Sequence, residues 1–213
     1  MTNATFIGEG HVIVPLSVAS GARLSFDNGV ERLEVRADKR LKALLSAQFA
    51  DPHPVVWAAE HNVHVEYPLG ARLLRRMQPS AVSLNPIVAW SLDVHGGAAH
   101  LDADLRGVTV QAVSFHSGIA RSRLVLGNPG GERTIRLSSV KELRIDRPAG
   151  VPVRIEIAKG ATNVTLDDRF FGAVGNGLAD QAAGYAATAD RYRLIISGGV
   201  DGLTISHTMR SIS

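Results

Sequence analysis

Gly97-Ala98-Ala99-His100-Leu101-Asp102-Ala103, Gly118-Ile119-Ala120-Arg121-Ser122-Arg123-Leu124, Ser139-Val140-Lys141-Glu142-Leu143-Arg144-Ile145 and Gly160-Ala161-Thr162-Asn163-Val164-Thr165-Leu166 are four versions of one phrase, set 21 residues apart. Each opens on a small residue. Four and six positions later come Leu101 and Ala103, Ser122 and Leu124, Leu143 and Ile145, Val164 and Leu166. A spacing of two puts such a pair on one side of an extended strand. Earlier, Gly29 is followed in the same way by Leu33 and Val35; later, Gly199 is followed by Leu203 and Ile205. Gly199 lies 39 residues past Gly160, a gap that suits about two turns of the repeat at slightly altered length. A second strand set keeps step with the first: Leu92/Val94, Val113/Phe115, Ile135/Leu137, Ile155/Ile157 and Leu194/Ile196.

The rest of the chain is also written in period two. Arg32-Leu33-Glu34-Val35-Arg36, Val63-His64-Val65-Glu66-Tyr67 and Val153-Arg154-Ile155-Glu156-Ile157 place aliphatic residues on one face and polar or charged ones on the other, as a half-buried strand requires. A repeat of about 20–21 residues with two or three short strands predicts an all-β, single-domain right-handed β-helix (β-solenoid), each coil pairing with the next at about 4.8 Å. The alternative, a sandwich, spaces its strands at 8–12 residues and does not generate so regular a step. The small residue is expected to turn a corner where a bulky side chain would clash. Helical spacing occurs only over Asp38 to Phe49, where Leu41, Leu44, Leu45 and Phe49 share a face, and predicts one short helix.

Within this single domain (1–213), residues 1–28 read as an N-terminal cap, 29–205 as coils and 206–213 as a C-terminal tail. Residues 172–190, rich in Gly and Ala, read as a mobile excursion. Asp51-Pro52-His53-Pro54, Gln78-Pro79-Ser80 and Asn85-Pro86 carry prolines that a central ladder excludes, so they are loops or corners. The open ends of a solenoid need capping, because bare edge strands invite polymerisation.

Composition narrows the function classes. Of 213 residues 45% are apolar and none is Cys, which excludes disulfide staples, Cys-ligated metals and a thiol nucleophile. No apolar run approaches the roughly 18–20 residues of a membrane span, and the opening Met1-Thr2-Asn3-Ala4-Thr5 lacks the features of a leader. A soluble, cytoplasmic protein is the expectation. The net charge of +3 comes from 23 bases and 20 acids that are interspersed. The aromatic content of 5% leaves few stacking platforms, so nucleic acid is not expected as a partner. Arg72, Arg75 and Arg76 form a basic cluster that could meet an acidic partner.

Chemistry-bearing residues are sparse. His95 and His116 occupy equivalent positions 21 residues apart, which brings their side chains within roughly 5 Å on adjacent coils. The next equivalents, Leu137 and Ala158, supply no carboxylate, so the pair reads as an exposed polar ladder and no metal is expected. Asp146, Asp167 and Asp168 are the candidate general acid and base of a carbohydrate-active β-helix. A solvated, ion-paired face is the favoured account of them. Gly-x-Ser-x-Gly and phosphate-loop patterns are absent. No catalytic residue and no cofactor is expected.

The run from Trp90 to Ile205, with Leu92-Asp93-Val94, Leu101-Asp102-Ala103-Asp104-Leu105, Ser117-Gly118-Ile119-Ala120, Leu124-Val125-Leu126-Gly127, Leu143-Arg144-Ile145-Asp146-Arg147-Pro148 and Val153-Arg154-Ile155-Glu156-Ile157, resembles the bacterial toast-rack, LiaF-like and putative-adhesin group of right-handed β-helices. That resemblance implies a non-catalytic module that works through protein contacts, in a group often attached to a membrane span and tied to envelope-stress signalling. It carries over no catalytic residue. The function expected is therefore a protein-interaction or scaffold module, binding another protein or itself through strand faces or edge coils. The alternatives are the carbohydrate-active enzyme and a bactofilin-like self-assembling polymer.

Overall fold

Alternating sequence becomes strand almost everywhere in the computed structural model, which describes residues 5–6, 10–16, 20–68 and 79–208. In chain order the strands are β1 (Thr5–Phe6), β2 (His11–Val14), β3 (Gly21–Phe26), β4 (Val30–Ala37), β5 (Leu45–Gln48), β6 (Val55–Ala59), β7 (Asn62–Glu66), β8 (Ser80–Leu84), β9 (Ala89–Val94) and β10 (Ala98–Leu105). They continue with β11 (Thr109–Leu126), β12 (Glu132–Arg147), β13 (Val153–Ile157), β14 (Ala161–Leu166), β15 (Arg169–Val174), β16 (Leu178–Gln181), β17 (Arg191–Ile196) and β18 (Val200–His207). The protein is all-β: among the described residues there is no α-helix, and one 3-10 turn spans Tyr185–Ala187.

The strands form two ladders. One runs β6-β7-β3-β9-β11-β12-β17-β13-β16, using the first halves of the long strands β11 and β12. The other runs β1-β2-β5-β8-β4-β10-β11-β12-β18-β14-β15 through their second halves. Every outermost pairing is antiparallel; the inner pairings are parallel except at β5, which runs antiparallel to both β2 and β8. Register stacks like on like. Val63, Leu24, Leu92, Val113, Ile135, Leu194 and Ile155 follow one another across the first ladder. Val82, Val35, Ala103, Leu124, Ile145, Ile205 and Leu166 do so across the second. Both rows are buried and belong to one apolar core, so removal of these side chains from water is the force that fixes the register.

The rungs are not stacked in chain order. β17 and β18 insert between β12 and the β13/β14 rung, so the rung opened by Gly199 sits directly on the rung opened by Ser139. The 39-residue gap after Gly160 therefore holds no further coil, contrary to the reading of two. Instead the chain turns back: β15 closes antiparallel on β14 and β16 on β13 before β17 returns inside. Residues 172–190, expected to be a mobile excursion, are thus the covering of one end. They are tied down by Arg169 to Asp180 (2.8 Å), Tyr185 Oη donating to Glu132 (3.2 Å), and Gly131 N donating to Asp190 (2.7 Å). At the other end β3, which lies in the expected 1–28 cap, pairs with β7 on one side and β9 on the other; it is interior because Leu24 and Phe26 are buried. The expected tail begins as strand, since β18 reaches His207.

The short helix expected over Asp38 to Phe49 is also overturned. Leu45, Ala47 and Phe49 are buried while Gln48 is exposed, and β5 runs antiparallel between β2 and β8. The segment satisfies both periods, and pairing partners on both sides selected the strand.

Each rung bends where the backbone turns left-handed. Arg32, His100, Arg121, Glu142 and Asn163 have φ of 51°, 53°, 46°, 54° and 54°, and Gly202 has 79°. The bend thus falls three residues after the small residue of each phrase, mostly on residues other than Gly. The small residues form a close-packed column instead: a Cβ on Gly118 would lie 3.0 Å from Ser139 Oγ, and one on Gly199 would lie 3.5 Å from the Gly160 carbonyl oxygen.

Candidate functional site

Leu92 and Val94 point into the core, so Asp93 between them and His95 just beyond share the outer side of β9. On the neighbouring rung Phe115 is buried against Val94, its register partner, which turns His116 outward beside His95. The two imidazoles stack with centroids 4.6 Å apart and planes within 6°. Their proximity, expected from the repeat, is found. Asp93 Oδ1 lies 2.6 Å from His116 Nε2, and Arg23 Nη1 reaches Asp93 Oδ2 at 3.4 Å. Ser117 Oγ donates to the His95 carbonyl oxygen at 3.3 Å.

The carboxylate that the sequence reading did not find is therefore Asp93. It belongs to an adjacent column, two residues before His95 on the same strand face, and an Asp-x-His spacing in an alternating strand is the signal that identifies it. The equivalence of His116 with Leu137 also fails by one place. Leu137 is the partner of Phe115, because the register between β11 and β12 shifts between Phe115 and Gly118. Among the described residues Asp93, His95 and His116 bring one ligand atom each within 4.8 Å of one another.

The polar corner extends one rung further. Phe26 is the partner of Val94, so Asp27 sits beside His95 in register. Asp27 accepts from Ser25 Oγ at 2.8 Å and lies 3.3 Å from His64 Nδ1, and the His64 ring stacks on Trp57 at 5.1 Å. On the far side of His116 a 260 Å³ groove runs past Ser114, Arg136, Ser138 and Ser197.

The three candidate acids do not converge. Asp146 is buried beneath Arg123 (2.7 Å), Arg144 (2.9 Å) and Ser206 (3.0 Å). Burial pushes its carboxyl up, but the hydrogen bonds from these three partners outweigh it and hold it below the usual carboxylate range. Asp167 is gripped by the buried Arg147, whose Nη2 lies 2.6 Å from both carboxylate oxygens. Ser206 is the partner of Asp146, and Asp167 N donates to Ile205 O, so the β18 rung separates the two acids. Asp168 is exposed at the β14–β15 turn. Arg72, Arg75 and Arg76 lie outside the described residues.

A wider groove of 650 Å³ opens along the left-handed corner, lined by His100, Arg121, Arg123, Glu142, Arg144 and Thr204 among others. Elsewhere outward charges pair both across rungs and along single strands. Arg193 grips Glu156 at 3.0 and 2.9 Å, with Arg154 on the same carboxylate at 2.9 Å; Arg191 meets Glu132 at 2.7 Å. The arrangement is a long charged wall on an apolar core. Among the described residues no helix is long and apolar enough to cross a membrane.

No family model and no curated protein matches the sequence. The structure is similar to that of a putative cell adhesion protein from Clostridium sporogenes ATCC 15579, with a TM-score of 0.62 over 93% of this chain and 98% of that one, at 16% sequence identity. The likeness is one of fold.

Proposed function

We propose that this protein is a non-catalytic interaction module that presents its ladder faces to another protein, in the manner its adhesin-like fold suggests. The observation that carries the reading is the disposition of the outward charges. They run in ion pairs across rungs, as Arg123–Asp146 and Arg193–Glu156, and along single strands, as Arg144–Asp146, and the candidate acids Asp146 and Asp167 are each neutralised by arginine. In finer detail, the rungs from Ala89 to Arg147 follow one another in chain order, which supports a right-handed β-helix of about 20–21 residues per coil and a place near the toast-rack and LiaF-like group. Antiparallel strands at the ends of both ladders favour a discrete module over a polymer.

Two assays on the purified full-length chain test the reading. Polysaccharides incubated with the protein are expected to remain intact, and light scattering after size exclusion is expected to give one small species across a wide concentration range. Polysaccharide cleavage that is lost in the Asp146→Asn/Asp167→Asn/Asp168→Asn variant would overturn the reading in favour of the carbohydrate-active alternative. Growth into long assemblies would transfer function to a self-assembling polymer.

A further inference from the structure

We propose that Asp93, His95 and His116 form a binding site for one late first-row divalent transition cation of the Zn2+ class. The argument starts from the backbone. β9 and β11 are neighbours in a parallel ladder whose register is fixed by Val94 against Phe115, so the three side chains issue from one rigid patch. Two imidazole nitrogens and one carboxylate oxygen lie within 4.8 Å of one another. His95 and His116 are exposed, which leaves the outer side of the cluster open to water or to a further donor.

Donor type selects the cation. Two nitrogens with a single carboxylate suit Zn2+, Ni2+, Co2+ or Cu2+, whereas Ca2+ and Mg2+ call for more oxygen ligands. Zinc lies about 2.0–2.2 Å from such ligands, so loading draws the three atoms inward. A cation also lies in the plane of each imidazole it binds, and the parallel rings must swing out of their stack to meet it. Both rings stand in solvent, where that rotation meets little resistance. Arg23 shares the carboxylate at 3.4 Å through its other oxygen and is the local competitor for Asp93. Its own side chain is 54% exposed, so it withdraws readily when a divalent charge arrives.

The site is independent of whether the protein acts as an interaction module. Its test is calorimetric titration of the full-length chain, freed of any histidine tag, with ZnCl2, together with the visible spectrum of the Co2+ form. The expected result is binding of one equivalent, with affinity falling more than about tenfold in His95→Gln and in His116→Gln, and no change in His207→Gln. In the wild type, Zn2+ should shift the ring-proton resonances of His95 and His116. Far-ultraviolet circular dichroism verifies that the variants keep the fold, since both side chains are at the surface. Absence of binding up to millimolar Zn2+, or an affinity that His95→Gln and His116→Gln leave unchanged, would overturn the proposal.

Discussion

Leu143 is paired in register with Leu203, sixty residues further along the chain, and Leu203 in turn with Val164; Leu143 and Val164, one sequence repeat apart, are held two rungs from each other. The same holds for the outward residues Lys141, Asp201 and Thr162. Neighbouring strands are about 4.8 Å apart, within the Cα separation a disulfide accepts, whereas two rungs span about 9.6 Å and exceed it. The chain has no native Cys to interfere. The Lys141→Cys/Asp201→Cys variant should therefore oxidise to an intramolecular disulfide, seen as faster migration on non-reducing gels, and Lys141→Cys/Thr162→Cys should not. The reverse pattern would mean that the rungs follow chain order.

Asp146 should contribute to the response to acid, beside Asp104, Glu132 and Glu156, whose carboxyls are also held below their ordinary values by arginine. Its carboxyl is buried, and hydrogen bonds from Arg123, Arg144 and Ser206 hold it below its ordinary value. A carboxylate whose folded value lies below its unfolded one adds stability that is fully present above the unfolded value of about 3.9 and is lost as pH falls through the folded one. Urea unfolding of the wild type should weaken from pH 5 downward. Asp146→Asn should cost about 1–3 kcal/mol at pH 7 and flatten that pH dependence; a variant as acid-sensitive as the wild type would place the titration elsewhere.

Asn85 is a buried hub at the corner before β9. Its Nδ2 donates to the carbonyl oxygens of Leu41 (2.9 Å) and Ala43 (2.8 Å), its Oδ1 accepts from Ile87 N (3.0 Å), and its carbonyl oxygen accepts from Trp90 Nε1 (2.9 Å). Asn85→Ala leaves buried polar groups without partners and should destabilise by about 2–3 kcal/mol. Asn85→Asp is expected to be at least as damaging, because an ionised carboxylate donates to neither carbonyl. Urea midpoints compare the two, and Trp90 fluorescence reports the local change.

The left-handed corner offers a test of opposite sign on two rungs of one ladder, β11 and β18, which flank the Glu142 rung. Arg121 adopts φ 46° and Gly202 φ 79°. A side chain in this region is strained where Gly is not, so Arg121→Gly should raise stability by up to about 1 kcal/mol, net of the added chain entropy, and Gly202→Ala should lower it by about the same amount. Thermal melts of the two variants, moving in opposite directions, are the expected outcome.

The candidate site was half legible. A 21-residue step places His95 beside His116 because the β9 and β11 rungs are stacked in chain order, as the Leu143 and Val164 rungs are not. Asp93 required a second regularity, the alternation that puts residues two apart on one face, and its approach to His116 crosses from one column to the next. Only side-chain rotation in the folded protein decides that crossing. Asp146 and Asp167 show the converse: they share a column, yet Ser206 stands between them because the β18 rung entered the stack there.

The sequence by itself determined that the chain is all-β, which residues face inward, and which phrase repeats, since these depend on the two-residue period of a strand and on burial of aliphatic side chains. Tertiary structure alone decided the order of the rungs, the strand at Leu45–Gln48, and the covering of the ladder end by β15 and β16. The reason is physical. Each apolar row looks alike from rung to rung, so local pattern matches any rung to any other, and the choice falls to which neighbours complete the ladder hydrogen bonds and cover the ends.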